Sequence, residues 1–148
     1  MSRLAWSKIT AEGYRAVFGL EKYAGGHVDP ELYHLIKLRS SQLNGCTFCV
    51  DMHGREALEL GIEFRKINSV AAWREAGWFS DRERAALELA EQVTLLPGGV
   101  PDEVWDAAAE VFDERELADL LIGIATINVW NRMQVSTRTE PQPPALAG

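Results

Sequence analysis

Cysteine is almost absent from this chain, which has two in 148 residues, Cys46 and Cys49. A disulfide-stapled scaffold is thereby excluded, and any thiol chemistry must sit within a single three-residue step. Histidine is nearly as scarce, with only His27, His34 and His53. There is no second C-x-x-C and no H-x-x-H, so the two separated ligand clusters of the usual zinc modules are missing. A c-type haem is excluded because Val50, not histidine, follows Cys49. Basic charge is short too: 15 Lys+Arg stand against 22 Asp+Glu, a net charge of −7. With no basic run, a nucleic-acid partner is not expected. No apolar stretch is long enough to cross a bilayer, and Met1–Lys8 lacks the apolar core of a signal peptide. The expectation is a soluble cytoplasmic protein with no membrane partner. No segment alternates apolar and polar residues long enough to read as a sheet.

What the chain does have is helical periodicity from end to end, in a length suited to one domain. Tyr14, Val17, Phe18 and Leu20 mark an amphipathic helix after Thr10, ending near Ala24-Gly25-Gly26. Asp29 and Pro30 read as N-cap and first turn of the next helix, whose stripe is Leu32, Leu35, Ile36, Leu38 and Leu43. Asn44-Gly45 breaks that helix, and the cysteine segment opens another that Gly61 ends. A helix over Phe64–Trp73 follows, then one capped by the Ser80/Glu83 box, then one from Pro101 through Val111. The last helix, about Glu114 to Met133, is apolar on most of its circumference and reads as buried in the core or between subunits. The fold class is all-α: a single helical domain over residues 1–138, with the Pro- and Ala-containing tail 139–148 read as disordered.

The run Cys46-Thr47-Phe48-Cys49, with His53 four residues further on, carries the chemistry. On a helix, i, i+3 and i+7 align Cys46, Cys49 and His53 along one stripe. C-x-x-C spacing lets two thiols close a disulfide across one turn, and an imidazole one turn on can take or return a proton. A helix N-terminus and a nearby imidazolium both favour thiolate, and Gly45 allows the sharp turn that begins the helix. A thiolate that attacks an O–O bond becomes a sulfenic acid, which a neighbouring thiol converts to a disulfide. Two other readings stay open. Cys46 and Cys49 fit a buried apolar pair, and Cys46, Cys49, His53 and His34 fit a zinc site. Taken alone, the helix-end argument favours Cys46 as the more acidic thiol. His27 reads as a loop residue, and Trp130 and Arg132 as structural.

The run from Leu32 to His53, with its pattern S-x-x-N-G-C-x-x-C-x-x-x-H, resembles the core motif of the alkylhydroperoxidase D family, within the carboxymuconolactone decarboxylase-like superfamily. Ile127-Asn128-Val129-Trp130-Asn131-Arg132 is similar to the closing helix of many members. The resemblance implies an all-helical fold whose copies assemble as homotrimers or homohexamers. It further implies a thiol-dependent peroxidase that reduces an organic hydroperoxide and needs no cofactor or metal. A dithiol donor, lipoyl-bearing or thioredoxin-like, would restore it. By position, Cys49 would be the peroxidatic thiol, Cys46 the resolving thiol and His53 the proton relay. One departure stands out. The family usually has a glutamate twelve residues before the first cysteine, and here that position is His34. Glu31, one turn earlier, is the carboxylate expected to compensate. A decarboxylase or lactone-processing enzyme of the wider superfamily, and a redox-sensing or zinc-binding protein without turnover, are the alternatives. Phe48 adds an apolar lining consistent with an organic oxidant.

Overall fold

The computed structural model describes residues 2–141, and the described residues form helices with no strand among them. Eight α-helices follow one another: α1 Trp6–Ile9, α2 Ala11–His27, α3 Pro30–Leu43, α4 Thr47–Glu59, α5 Phe64–Ser69, α6 Asp81–Leu95, α7 Asp102–Val111 and α8 Glu114–Thr137. A 3₁₀ turn over Val70–Glu75 extends α5. The all-α expectation holds. Of the tail read as disordered, residues 142–148 lie outside the described residues.

α3 is the central element. Leu32, Tyr33, Leu35, Ile36, Leu38 and the polar Lys37, Ser40 and Ser41 are all buried on it. Its two sides feed two apolar clusters. One joins Tyr33 and Ile36 to Leu89, Leu117, Leu120 and Ile124 from α6 and α8. The other joins Leu35 and Leu38 to Ala57, Val70, Trp73 and Leu87, and so seats α4. Burial of such side chains, at roughly 1.5–3 kcal/mol each, holds the bundle. Local signals agree with it: Asp29 caps α3 through the Leu32 amide, and Ser80/Glu83 and Asp113/Glu116 form full capping boxes on α6 and α8.

Two expectations need correction. α2 ends close to Gly25-Gly26 as expected but takes in both and His27, so His27 is helical rather than in a loop. Each glycine costs roughly 1 kcal/mol in a helix. Packing outweighs that cost, with Ala24 fully buried and the His27 ring stacked on Tyr23 at 4.1 Å. Pro30, which has no N–H to donate, then fixes the start of the next helix. α8 is buried as expected, yet its inward face is partly polar, with Thr126, Asn128 and Asn131 beside Ile124 and Ile127. At Gly123, an added Cβ would stand 3.0 Å from the Tyr33 ring, so this glycine is what lets α8 approach α3 so closely.

Candidate functional site

The cysteines are placed by a helix ending and a helix beginning in consecutive residues. Gly45 adopts φ +64°, which favours glycine, and two bonds close the end of α3: Gly45 N–H to the Gln42 carbonyl at 3.1 Å and Cys46 N–H to the Ser41 carbonyl at 3.0 Å. Cys46 is also the N-cap of α4, its Sγ accepting the Cys49 amide at 3.3 Å. The Asn44 side chain anchors this turn to α8, donating to Asn128 Oδ1 and Asn131 Oδ1, each at 2.9 Å. Asn131 donates in turn to Ser41 Oγ at 2.9 Å, and Asn128 to Thr94 Oγ1 at 3.0 Å. The Ser and Asn of the cysteine motif and the two asparagines of α8 are thus one hydrogen-bonded unit. Loss of either buried amide would orphan its partners, at about 1–3 kcal/mol for each unmatched group. Arg132 joins the same unit through Asn128 Oδ1 at 2.6 Å, which is a structural role.

Cys46 and Cys49 are joined as a disulfide, and their surfaces are almost wholly covered. A buried apolar pair of free thiols is therefore not what the structure contains. Each cysteine meets a different recess. Cys49 lines a cavity of about 250 Å³ with Tyr14, Phe18, Phe48, Met52 and Trp130 as apolar walls and Glu21, Lys37, His53 and Glu56 as its polar end. Trp130 is thus a cavity wall, beyond the structural role its position on α8 suggested. Cys46 lines a separate groove of about 160 Å³ with Gly45, Thr47, Val135, Arg138 and Thr139. Phe48 and Gln134 border both.

His53 is buried on α4, and its Nδ1 lies 2.8 Å from Glu56 Oε2, one turn further along the same helix. An ionised carboxylate only accepts, so Nδ1 carries the proton and Nε2 presents its lone pair. That Nε2 is buried and has no hydrogen-bond partner among the described residues. The hydrogen bond from His53 holds the Glu56 carboxyl below the usual range, against the opposing effect of burial, with His53, Lys37 and His34 adding in the same direction. Glu56 was not foreseen from sequence; the signal available was its i+3 spacing from His53. The expected compensator, Glu31, is elsewhere: it binds Lys66 at 2.8 Å, and Lys66 also binds Glu83 at 2.7 Å.

A second layer supports the dyad. The buried Lys37 Nζ lies 3.9 Å from Glu56 Oε2 and 3.3 Å from Glu21 Oε1, while the Tyr33 hydroxyl donates to Glu21 Oε2 at 3.0 Å. Burial, with Glu21 beside it, pushes the Tyr33 hydroxyl up and keeps it a donor. His34 does reach the site: its Nδ1 is 3.8 Å from Glu56 Oε2, too far for a hydrogen bond. Burial and then the Lys37 charge push His34 down from 6.5 to about 4, so it is neutral at physiological pH.

That shift has a stability consequence. Because His34 is harder to protonate folded than unfolded, its contribution is complete above about pH 6.5 and is lost as pH falls toward 4. The loss is on the order of 2 kcal/mol after discounting for partial exposure. Thermal melts between pH 7 and 5, above the carboxylate range, should show His34→Gln losing less Tm than the parent chain. Equal slopes would refute the assignment.

The sequence and the fold have likenesses among known proteins. Residues 10–92 match the model of the carboxymuconolactone decarboxylase family. The chain is 39% identical over 136 residues to the uncharacterized protein YdfG of Bacillus subtilis (strain 168), spanning 90% of this chain and 92% of that one. ATU0492 of Agrobacterium tumefaciens is a protein of unknown function proposed as the antioxidant defence protein AhpD. Its crystal structure superposes with a TM-score of 0.93 at 34% identity, covering 97% of this chain and 99% of that chain. The debrominase Bmp8 shares the fold, with a TM-score of 0.78 at 23% identity over 86% of this chain and 69% of its own.

Proposed function

Since the chain belongs to the carboxymuconolactone decarboxylase family, in its alkylhydroperoxidase D-like branch, we propose that it is a dithiol peroxidase reducing organic hydroperoxides. The observation that carries this reading is the Cys46–Cys49 disulfide at the start of α4, with Cys49 on the wall of a cavity that also contains the His53–Glu56 dyad. The disulfide is the product such a cycle leaves behind. The likeness to the proposed antioxidant protein ATU0492 supports the reading.

In the reduced protein, His53 Nε2 takes the proton of Cys49, and Glu56 holds the ring and balances the imidazolium. The Cys49 thiolate attacks the terminal oxygen of ROOH, the O–O bond breaks, and the alkoxide leaves with the proton from His53 as ROH. Cys49 is then a sulfenic acid. The Cys46 thiol attacks that sulfur, the S–O bond breaks, water departs and the disulfide forms. An external dithiol attacks Cys46 Sγ from its own groove, expelling the Cys49 thiolate. Its second thiol then closes on the first and releases Cys46. The sum is ROOH and a dithiol giving ROH, water and a disulfide.

Neutral His34 neighbours the dyad and tunes its field, with Glu56, rather than His34, supplying the negative charge. The aromatic walls of the cavity favour an organic hydroperoxide over hydrogen peroxide. Exposed Ile9, Phe18 and Leu20 on α1 and α2 are consistent with association of copies as trimers or hexamers. The dithiol donor is a small lipoyl-type compound or a lipoyl-bearing or thioredoxin-like protein. A decarboxylase reading has no use for the cysteine pair.

The test is a thiol count on the reduced protein before and after one equivalent of cumene hydroperoxide, then after dihydrolipoamide. Both thiols should disappear and return. Two thiols that stay reduced in the presence of peroxide would end this reading.

A further inference from the structure

His34 projects from α3 while His53 and Glu56 project from α4, and the three converge at the polar end of the Cys49 cavity. One donor atom from each lies within 4.8 Å of the other two. Two imidazoles and one carboxylate are a complement that first-row divalent metals accept. We propose that His34, His53 and Glu56 form a binding site for a divalent transition metal of the Zn²⁺ class, and that its occupancy switches the thiol chemistry off.

Three observations beyond proximity carry this. First, His34 Nδ1, one of the three donor atoms, is buried without a hydrogen-bond partner among the described residues, and His53 would ligate through Nδ1 in the tautomer that moves its proton to Nε2. Buried polar atoms are rarely left so. Second, two of the three donor spacings are near those of a shared ion. His53 Nδ1 and His34 Nδ1 lie 2.8 and 3.8 Å from Glu56 Oε2. Ligands of a tetrahedral ion, about 2.0–2.1 Å from it, stand roughly 3.3 Å apart, so these two pairs need shifts of about half an ångström, and the set as a whole, which lies within 4.8 Å, must draw together further. Third, the ligands come from two helices that are fixed against each other, α4 by its N-cap turn and by Ala57 packing in the core, α3 by burial along its length. The opposing charge is Lys37, 3.9 Å from the Glu56 carboxylate, and it is partly neutralised by Glu21 at 3.3 Å.

The set differs from the one anticipated from spacing, in which both cysteines were ligands. With Cys46 and Cys49 oxidised, their sulfurs are not thiolate donors, whereas the imidazole–carboxylate set is present in the disulfide form. Only the inhibition rests on the peroxidase reading. A metal holding His53 and Glu56 removes the base and its counter-charge together; binding itself needs no turnover.

The experiment is isothermal titration of Zn²⁺ into the metal-free disulfide form, with the Cys46→Ser/Cys49→Ser variant in parallel. One Zn²⁺ per chain is expected in both. His34→Ala and, separately, the near-isosteric Glu56→Gln should each weaken binding by about 100-fold or more, with circular dichroism verifying that each variant is folded. Zinc lost in the double serine variant would make the thiols the ligands and overturn the site, as would unchanged affinity in folded His34→Ala and Glu56→Gln. Peroxide consumption is then assayed with Zn²⁺ and after chelation. Zinc that binds but leaves an active protein's rate unchanged overturns the switch. A protein that binds zinc but never consumes peroxide leaves the site standing and removes the peroxidase reading.

Discussion

Cys49→Ser should abolish hydroperoxide consumption, lowering the second-order rate by at least about 10³-fold. A serine hydroxyl at this position is nearly isosteric but stays protonated at neutral pH and has no sulfur lone pair to accept oxygen. Cys46→Ser should behave differently. It should consume one equivalent of oxidant and stop, because the sulfenic acid on Cys49 has lost its partner. Trapping with a sulfenic-acid-specific reagent and weighing the intact chain distinguishes the two. The pair of variants also decides between two physical arguments. Cys46, as the N-cap of α4, receives the Cys49 amide, and a helix N-terminus favours a thiolate there. Cys49 has the cavity and shares it with His53. If Cys49→Ser forms a trapped sulfenic acid at the parent's rate, the helix end outweighs the histidine and the roles reverse.

Glu56→Gln should slow oxidation of the reduced protein by about 10²-fold. The amide oxygen of glutamine can still accept from His53 Nδ1, so the ring stays oriented. What disappears is the negative charge that balances the buried His53 imidazolium, supplied by a carboxylate that is itself 40% exposed and so partly screened. Glu56→Asp keeps the charge and should recover part of the loss, which a purely packing role would not predict. Glu31→Gln is the matched comparison: Glu31 is committed to Lys66, and the rate should not change. Stopped-flow measurement of intrinsic tryptophan fluorescence during oxidation reports each rate. If Glu31→Gln lost activity and Glu56→Gln did not, the relay drawn here would be wrong.

Much of this is legible in the sequence. Helices α3, α6 and α7 carry their own punctuation in Asp29-Pro30, Ser80/Glu83 and Pro101-Asp102, and local capping is a matter of a few adjacent residues. The Cys46, Cys49 and His53 stripe follows from one period of one helix. Glu56 is not marked in the sequence although it too is on α4, because the twelve-residue spacing before Cys46 points to a carboxylate on α3 instead. The function of Lys37 could not have been read, since its partners Glu21 and Glu56 come from α2 and α4 and meet only in the packed bundle. His27, read as a loop residue, closes α2 instead, for the opposite reason. A local cost of two glycines was weighed without the contacts that outweigh it.

In the proposed cycle, the two recesses flanking the disulfide give the oxidant and the reductant separate entrances. Tyr14, Phe18, Met52 and Trp130 border only the Cys49 side; Gly45, Thr47, Val135 and Arg138 border only the Cys46 side. On that reading, evolution can vary the two surfaces independently, exchanging one class of oxidant for another while the same electron donor continues to serve.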